Sequence, residues 1–190
     1  MKIVIEKYNP EWKEQFELLR DNLLFYLKED VINIEHVGST SVPGMSAKPI
    51  IDLDIIIESD NSTLEKVIDK LNHLGYIHLG DLGITGREAF KRNSPQASNM
   101  NGRITWFKHN LYVCKEGSGG LNNHLSLKKH LLENHDKVIE YSKLKENLAE
   151  KFPNDIDAYI DGKTDFIVDI LKKEGIKSID INLIEDQNKI

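Results

Sequence analysis

The chain has 190 residues, 39% of them hydrophobic and 29% charged, with a net charge of −6. That length suits one domain with a sizeable core, or one domain with a helical appendage, and the composition excludes a disordered or collagen-like chain. The acidic balance gives nucleic acid no bulk attraction, no apolar run reaches the ~20 residues of a membrane span, and the single cysteine, Cys114, excludes an internal disulfide or a cysteine-built zinc site. The N-terminus reaches charge and proline too soon for a signal peptide, so a cytoplasmic protein is expected.

Residues 2–6 alternate as a short strand would. Asn9 and Pro10 read as N-cap and first position of a helix, on which Trp12, Phe16, Leu19, Leu23 and Tyr26 recur at three- and four-residue steps. Residues 31–37 return to strand spacing. A Gly/Ser loop follows, and then residues 50–57, IIDLDIII, predict a central strand. Ser62 and Glu65 read as a capping box for a helix striped by Leu64, Val67, Ile68, Leu71 and Leu74 and ended by Gly75. Residues 76–79 predict a strand, 80–102 a long loop with an edge strand near 89–92, and 103–115 another strand. From Leu121 the pattern is helical, with breaks at 134–136 and 152–154 and a last helix ending at Gly175.

The fold class expected is α+β, a mixed β-sheet with helices followed by C-terminal helices. Residues 1–120 form the core, 121–175 a helical part packed on it, and 176–190 a short extension or tail. Charge is uneven along the chain: residues 81–129 carry net +5 between two acidic flanks, which reads either as an anion site or as solvated surface.

Asp52 and Asp54 are the sharpest feature. Two positions apart in an apolar strand, they point to one face, repel each other and are costly to desolvate. A divalent cation, a basic group such as Lys48, or strand-end exposure would compensate them. Mg²⁺ takes carboxylate oxygens together with substrate phosphates. The preceding loop has Gly38, Ser39, Gly44 and Lys48, where backbone N–H groups and hydroxyls can meet an anion. It is not a Walker A loop, since lysine does not follow the second glycine.

A Gly-Ser loop followed one strand later by Asp-x-Asp resembles the DNA polymerase beta-like nucleotidyltransferase superfamily. Read whole, residues 34–57, IEHVGSTSVPGMSAKPIIDLDIII, resemble the GrpB family of that clan. VIEKYNPEW at 4–12, GREAF at 86–90, HNLYV at 109–113, YSKLKENLAEKF at 141–152 and the Tyr-x-x-x-Lys-x-x-Phe-Ile of 159–167 resemble further segments of the family, so the likeness covers roughly 3–172. It implies a nucleotidyltransferase fold. Gly38 and Ser39, with Thr40 and Ser41 beside them, would hold nucleotide phosphates, and Asp52 and Asp54 would hold Mg²⁺ and serve catalysis. Lys48, Arg87 and Lys91 are further phosphate candidates, Arg87 through its planar fork.

The third carboxylate of the superfamily belongs on a later strand. Residues 103–115 offer His109 and Tyr112 there and no Asp or Glu, so His109 is the candidate third ligand or base. His36 reads as support for the loop. His124, His130 and His135 read as a polar helix surface without ligand spacing. The function expected is Mg²⁺-dependent nucleotidyl transfer from a nucleoside triphosphate or related phosphometabolite to an acceptor the sequence does not name. The alternatives are a non-catalytic nucleotide- or phosphometabolite-binding module and an accessory protein-interaction domain.

Overall fold

A computed structural model of the chain describes residues 2–92, 96–99 and 102–176, with backbone alone for 96–99 and 102–105. Strands β1 (Asn33–Val37), β2 (Ile51–Ile57), β3 (Tyr76–Gly80), β4 (Arg87–Arg92) and β7 (His109–Lys115) form a five-stranded mixed sheet in the order β1-β2-β7-β4-β3. β2 and β7 run parallel and the other pairs antiparallel. β5 (Gln96–Asn99) and β6 (Gly102–Thr105) make a separate two-stranded ribbon. The α+β class expected from the sequence is the one observed.

Period-two alternation divides β2 between two faces. Ile51, Leu53, Ile55 and Ile57 pack on helices α1 (Glu11–Leu27) and α2 (Asn61–His73), with Trp12, Phe16, Leu23, Val67 and Leu71 in the same cluster. Asp52, Asp54 and Ile56 face the other way, where Ile56 and Cys114 of β7 meet Leu121 of helix α3 (Gly119–Glu133). Helices α4 (His135–Lys151) and α5 (Ile156–Lys173) complete this second layer. The β1–β2 loop is built into it: Val42 and Met45 are buried among Leu131, Val138, Tyr141 and Ile170.

Five elements differ from expectation, the first being β5, a strand within the loop expected over 80–102. Residues 2–6 form only an isolated bridge, Glu6 to Ala47, and Ile3 packs on Leu148 and Tyr159, because their backbone partners are the Pro153 carbonyl and the β1–β2 loop and not a strand edge. Asp60, not Ser62, caps α2 by accepting from the Thr63 N–H at 2.8 Å. β4 is interior, between β7 and β3, and buries Ala89 and Phe90, so the edge belongs to β3. The expected strand over 103–115 breaks at Trp106–Lys108 into β6 and β7. The tail expected at 176–190 lies outside the described residues from 177 onward.

Leu53 is fully enclosed between the sheet and its helices, whereas Phe25 is 64% exposed. Leu53→Ala should lower the unfolding free energy by about 2–5 kcal/mol, and Phe25→Ala should leave it within about 0.5 kcal/mol, both read by urea titration.

Candidate functional site

Asp54 has no solvent exposure. Its Oδ2 accepts from His124 Nδ1 at 2.8 Å, and its Oδ1 has no hydrogen-bond partner. An unpaired buried polar atom costs about 1–3 kcal/mol, so Oδ1 is an acceptor that the surrounding protein does not satisfy. Asp52 is half-buried, and its Oδ1 accepts from Asn110 Nδ2 at 2.7 Å. Burial pushes the Asp52 pKa up, opposed by the Asn110 hydrogen bond and by the charges of His124, Lys48 and Lys163. The other oxygen of Asp52 abuts Gly38, where a Cβ would stand 2.2 Å from it. With φ at +69°, only glycine serves there without strain. Burial works against the imidazolium of His124, but the charge and hydrogen bond of Asp54 outweigh it and raise the pKa.

Three lysines surround the Asp52 end. Lys145 of α4 is 2% exposed, donates from Nζ to Ser39 Oγ at 2.8 Å and lies 4.5 Å from the Tyr141 ring centroid. Burial, then the charge of Lys163, pulls its pKa down to about 7. Lys163 of α5 is drawn down to about 8 by burial and by Lys48, with Asp52 opposing. Lys48 is also lowered by burial, with Asp52 opposing. Lys48 and Lys163 share the Tyr159 ring, at 5.6 and 4.6 Å from its centroid. Lys145 and Lys163 both lie in segments that resemble the family, 141–152 and 159–167, but neither is among the site residues expected from the sequence. A second signal is their place on apolar stripes, Lys145 four residues after Tyr141 and Lys163 four before Ile167.

Some of these groups border a cavity of about 680 Å³ between the sheet and α3–α5, and Asp54, Asn110, Lys48 and Lys145 lie behind its wall. Gly38, Ser39, Asp52 and Arg87 line it, as do Tyr112, Asn123, His124 and Lys163. Other candidates point elsewhere. Thr40 is buried and hydrogen-bonds His36 Nε2 at 3.0 Å, and Ser41 Oγ donates back to the Gly38 carbonyl at 2.7 Å. His36 stacks on Phe16, and burial followed by the Lys128 charge lowers its pKa to about 4, as befits a neutral support for the loop. Lys91 is exposed and does not line the cavity.

His109 is on the opposite face of the sheet. The register pairs it with Ile51, its Nδ1 donates to the Phe107 carbonyl at 2.6 Å, and its Nε2 accepts from the Tyr76 hydroxyl at 2.7 Å. The β7 residues paired with Asp52 and Asp54 are Asn110 and Tyr112. His124 is the histidine that reaches the acidic pair, because α3 lies across that face. The expected polar helix surface is therefore corrected at His124 and also at His130, which is buried and bonds Glu174 at 2.7 Å.

Carboxylate oxygens are the ligands a hard cation takes, and of the pair Asp52 lines the cavity while Asp54, with its unpartnered Oδ1, lies fully buried behind it. Among the described residues no group of three or more His, Cys, Asp or Glu could hold a metal ion, so such a cation would need further oxygens from a ligand.

A family model described as "GrpB protein" matches residues 2–173. The chain belongs to the GrpB family. It is 32% identical over 171 residues to the glutamate-rich protein GrpB of Alkalihalophilus pseudofirmus, covering 90% of this chain and 95% of that one. To the UPF0157 protein YqkA of Bacillus subtilis it is 31% identical over 166 residues, and there it spans only 45% of the relative's length. The crystal structure of GrpB from Enterococcus faecalis superposes with a TM-score of 0.74 at 32% identity, over 90% of this chain and 96% of that one.

The lysines make stability pH-dependent. Lys145 has a folded-state pKa of about 7 against an ordinary value of 10.5, so between these values the unfolded chain holds more protons and raising the pH stabilises the fold. Lys163 adds to this above about pH 8. The melting temperature should rise from pH 7 to pH 9 more steeply in wild type than in Lys145→Met. Parallel profiles would show that Lys145 is not held against its charge.

Proposed function

We propose that the protein binds a nucleoside triphosphate or related phosphometabolite together with Mg²⁺, and transfers the nucleotidyl group to an acceptor. The observation that carries this reading is the crowding of three lysines around Asp52. Lys48, Lys145 and Lys163 all feel its carboxylate, Lys145 has a second acidic neighbour in Glu146, and two of the three are held well below the ordinary lysine pKa. A phosphate chain supplies further negative charge. Ser39 Oγ and the ammonium groups of Lys145 and Lys163 hold it, while Gly38 lets the Asp52 carboxylate pack against the turn. Asn110 and His124 hold Asp52 and Asp54 in fixed orientations. Mg²⁺ bound by Asp52 and Asp54 would neutralise phosphate charge and polarise the phosphorus under attack.

One observation favours binding without transfer. The β7 positions facing the pair hold the amide of Asn110 and the phenol of Tyr112, whose pKa burial and then the charge of Asp52 push up to about 12. Neither is a carboxylate base. Pyrophosphate release in the presence of candidate acceptors separates the two readings.

With ATP, GTP, CTP or UTP as probe, Mg²⁺ should increase the thermal shift, and Asp52→Asn with Asp54→Asn should remove that increment in a folded protein. An undiminished Mg²⁺ increment in the double variant would overturn the metal assignment. Lys145→Met should raise the nucleotide Kd roughly 10- to 100-fold, as losing a charge-assisted hydrogen bond of about 1.5–3 kcal/mol requires, measured by calorimetry.

A further inference from the structure

The cavity has two polar ends. From Asp52 to Arg87 the sheet crosses two strand spacings, β2 to β7 to β4, and climbs four residues, because Arg87 pairs with Cys114 and Cys114 with Ile56. At ~4.8 Å per strand and ~3.3 Å per residue, their α-carbons are roughly 16 Å apart, although both side chains line one cavity. A phosphate seated at Ser39 and Lys145 and an anion seated at Arg87 would therefore lie toward different ends of the cavity. His124 and Tyr112 stand between the two ends, and each feels the charges of both Asp52 and Arg87.

The far end holds unmet hydrogen-bonding groups. Arg87 Nε and Asn123 Oδ1 are both buried without a partner, and both residues line the cavity. The Arg87 guanidinium lies 4.7 Å from the Tyr112 ring centroid, which fixes its plane. Gly120 allows it to lie against α3: a Cβ there would be 3.2 Å from Arg87 Cβ and 3.0 Å from Ile84 Cγ2. Lys128, paired with Glu35 at 3.2 Å, adds a second cation to the wall. Arginine N–H groups in this setting call for an oxyanion, and an amide oxygen beside them calls for a hydroxyl or amine donor.

We infer that Arg87 and Asn123 form a second subsite for a small hydroxylated anion, which is the acceptor of the transfer. This rests on the nucleotide reading given above, with the triphosphate at the Ser39 end and the acidic pair between the two ligands. A cavity of this size between the sheet and α3–α5 suits a small molecule. Arg87 binds the anionic group, and Asn123 Oδ1 accepts from the hydroxyl. In the transfer, the acceptor oxygen bonds to the α-phosphorus, its proton is lost to the medium and pyrophosphate leaves.

The probes are glycerol 3-phosphate, inorganic phosphate and glycerol, titrated by calorimetry into the protein saturated with Mg²⁺ and α,β-methylene-ATP. Glycerol 3-phosphate and phosphate should bind, and neutral glycerol should not. Arg87→Met should raise the Kd of both anions at least 10-fold and change the nucleotide Kd less than 2-fold. Arg87→Lys keeps the charge without the planar fork, guards against a folding defect, and should fall between. Asn123→Leu should weaken glycerol 3-phosphate more than phosphate. A nucleotide Kd that rises with the anion Kd in Arg87→Met would assign Arg87 to the nucleotide and overturn the second subsite, as would failure of both anions to bind the saturated complex. Failure of wild type to bind nucleotide overturns the nucleotide reading separately. Phosphate titrated into the ligand-free protein, with Lys145→Met and Arg87→Met removing different binding events, then decides the subsite.

Discussion

Asp54 sits on a strand with no access to water, and removing a carboxylate from water costs several kcal/mol unless a charge and hydrogen bonds replace the solvent. His124 supplies one partner, which requires α3 to lie across this face of the sheet. Asp52, two residues earlier, is met by Asn110 within the sheet and by lysines from α4 and α5. The acidic groups belong to one layer and most of the basic groups to the other. The interface between layers is therefore electrostatic at its centre and apolar at its margins, where Val42, Met45, Leu131 and Ile170 close it.

The same division accounts for what the sequence disclosed. The β-branched run of β2, the stripes of α1 and α2 and the Gly-Ser turn are local patterns, and each is found where its periodicity placed it. Alternation alone puts Asp52 and Asp54 on one face. Which residues of β7 share that face depends on register, and a shift of one residue exchanges the two faces. Asp52 pairs with Asn110, so His109 falls on the side of α1 and α2, a fact no local pattern contains. The break between β6 and β7 was hidden for a related reason: Trp106 and Phe107 have strand-like side chains, but both pack on the core cluster outside any strand.

The basic half of the site was legible in part. A lysine on the buried stripe of an amphipathic helix conflicts with that stripe, and both Lys145 and Lys163 occupy such positions. Such conflicts concentrate where a fold serves something besides its own stability. His124 had a weaker signal, three residues after the buried Leu121, and its partner is 70 residues away in the chain. Only the packing of α3 on the sheet makes that partner identifiable.

The hydrogen bond between Lys145 and Ser39 closes a span of 106 residues. On the ribosome the N-terminal part of a chain emerges and compacts first. The Gly-Ser turn and the acidic strand are thus exposed to the cell well before α4 and α5 are available to cover them. During that interval the nascent sheet presents two adjacent carboxylates with none of the helix lysines that later offset them. The offsetting charge of Lys145 and Lys163 consequently arrives late in synthesis, when the last helices dock. A polypeptide arrested before α4 would carry both carboxylates and Lys48 but neither of those two lysines.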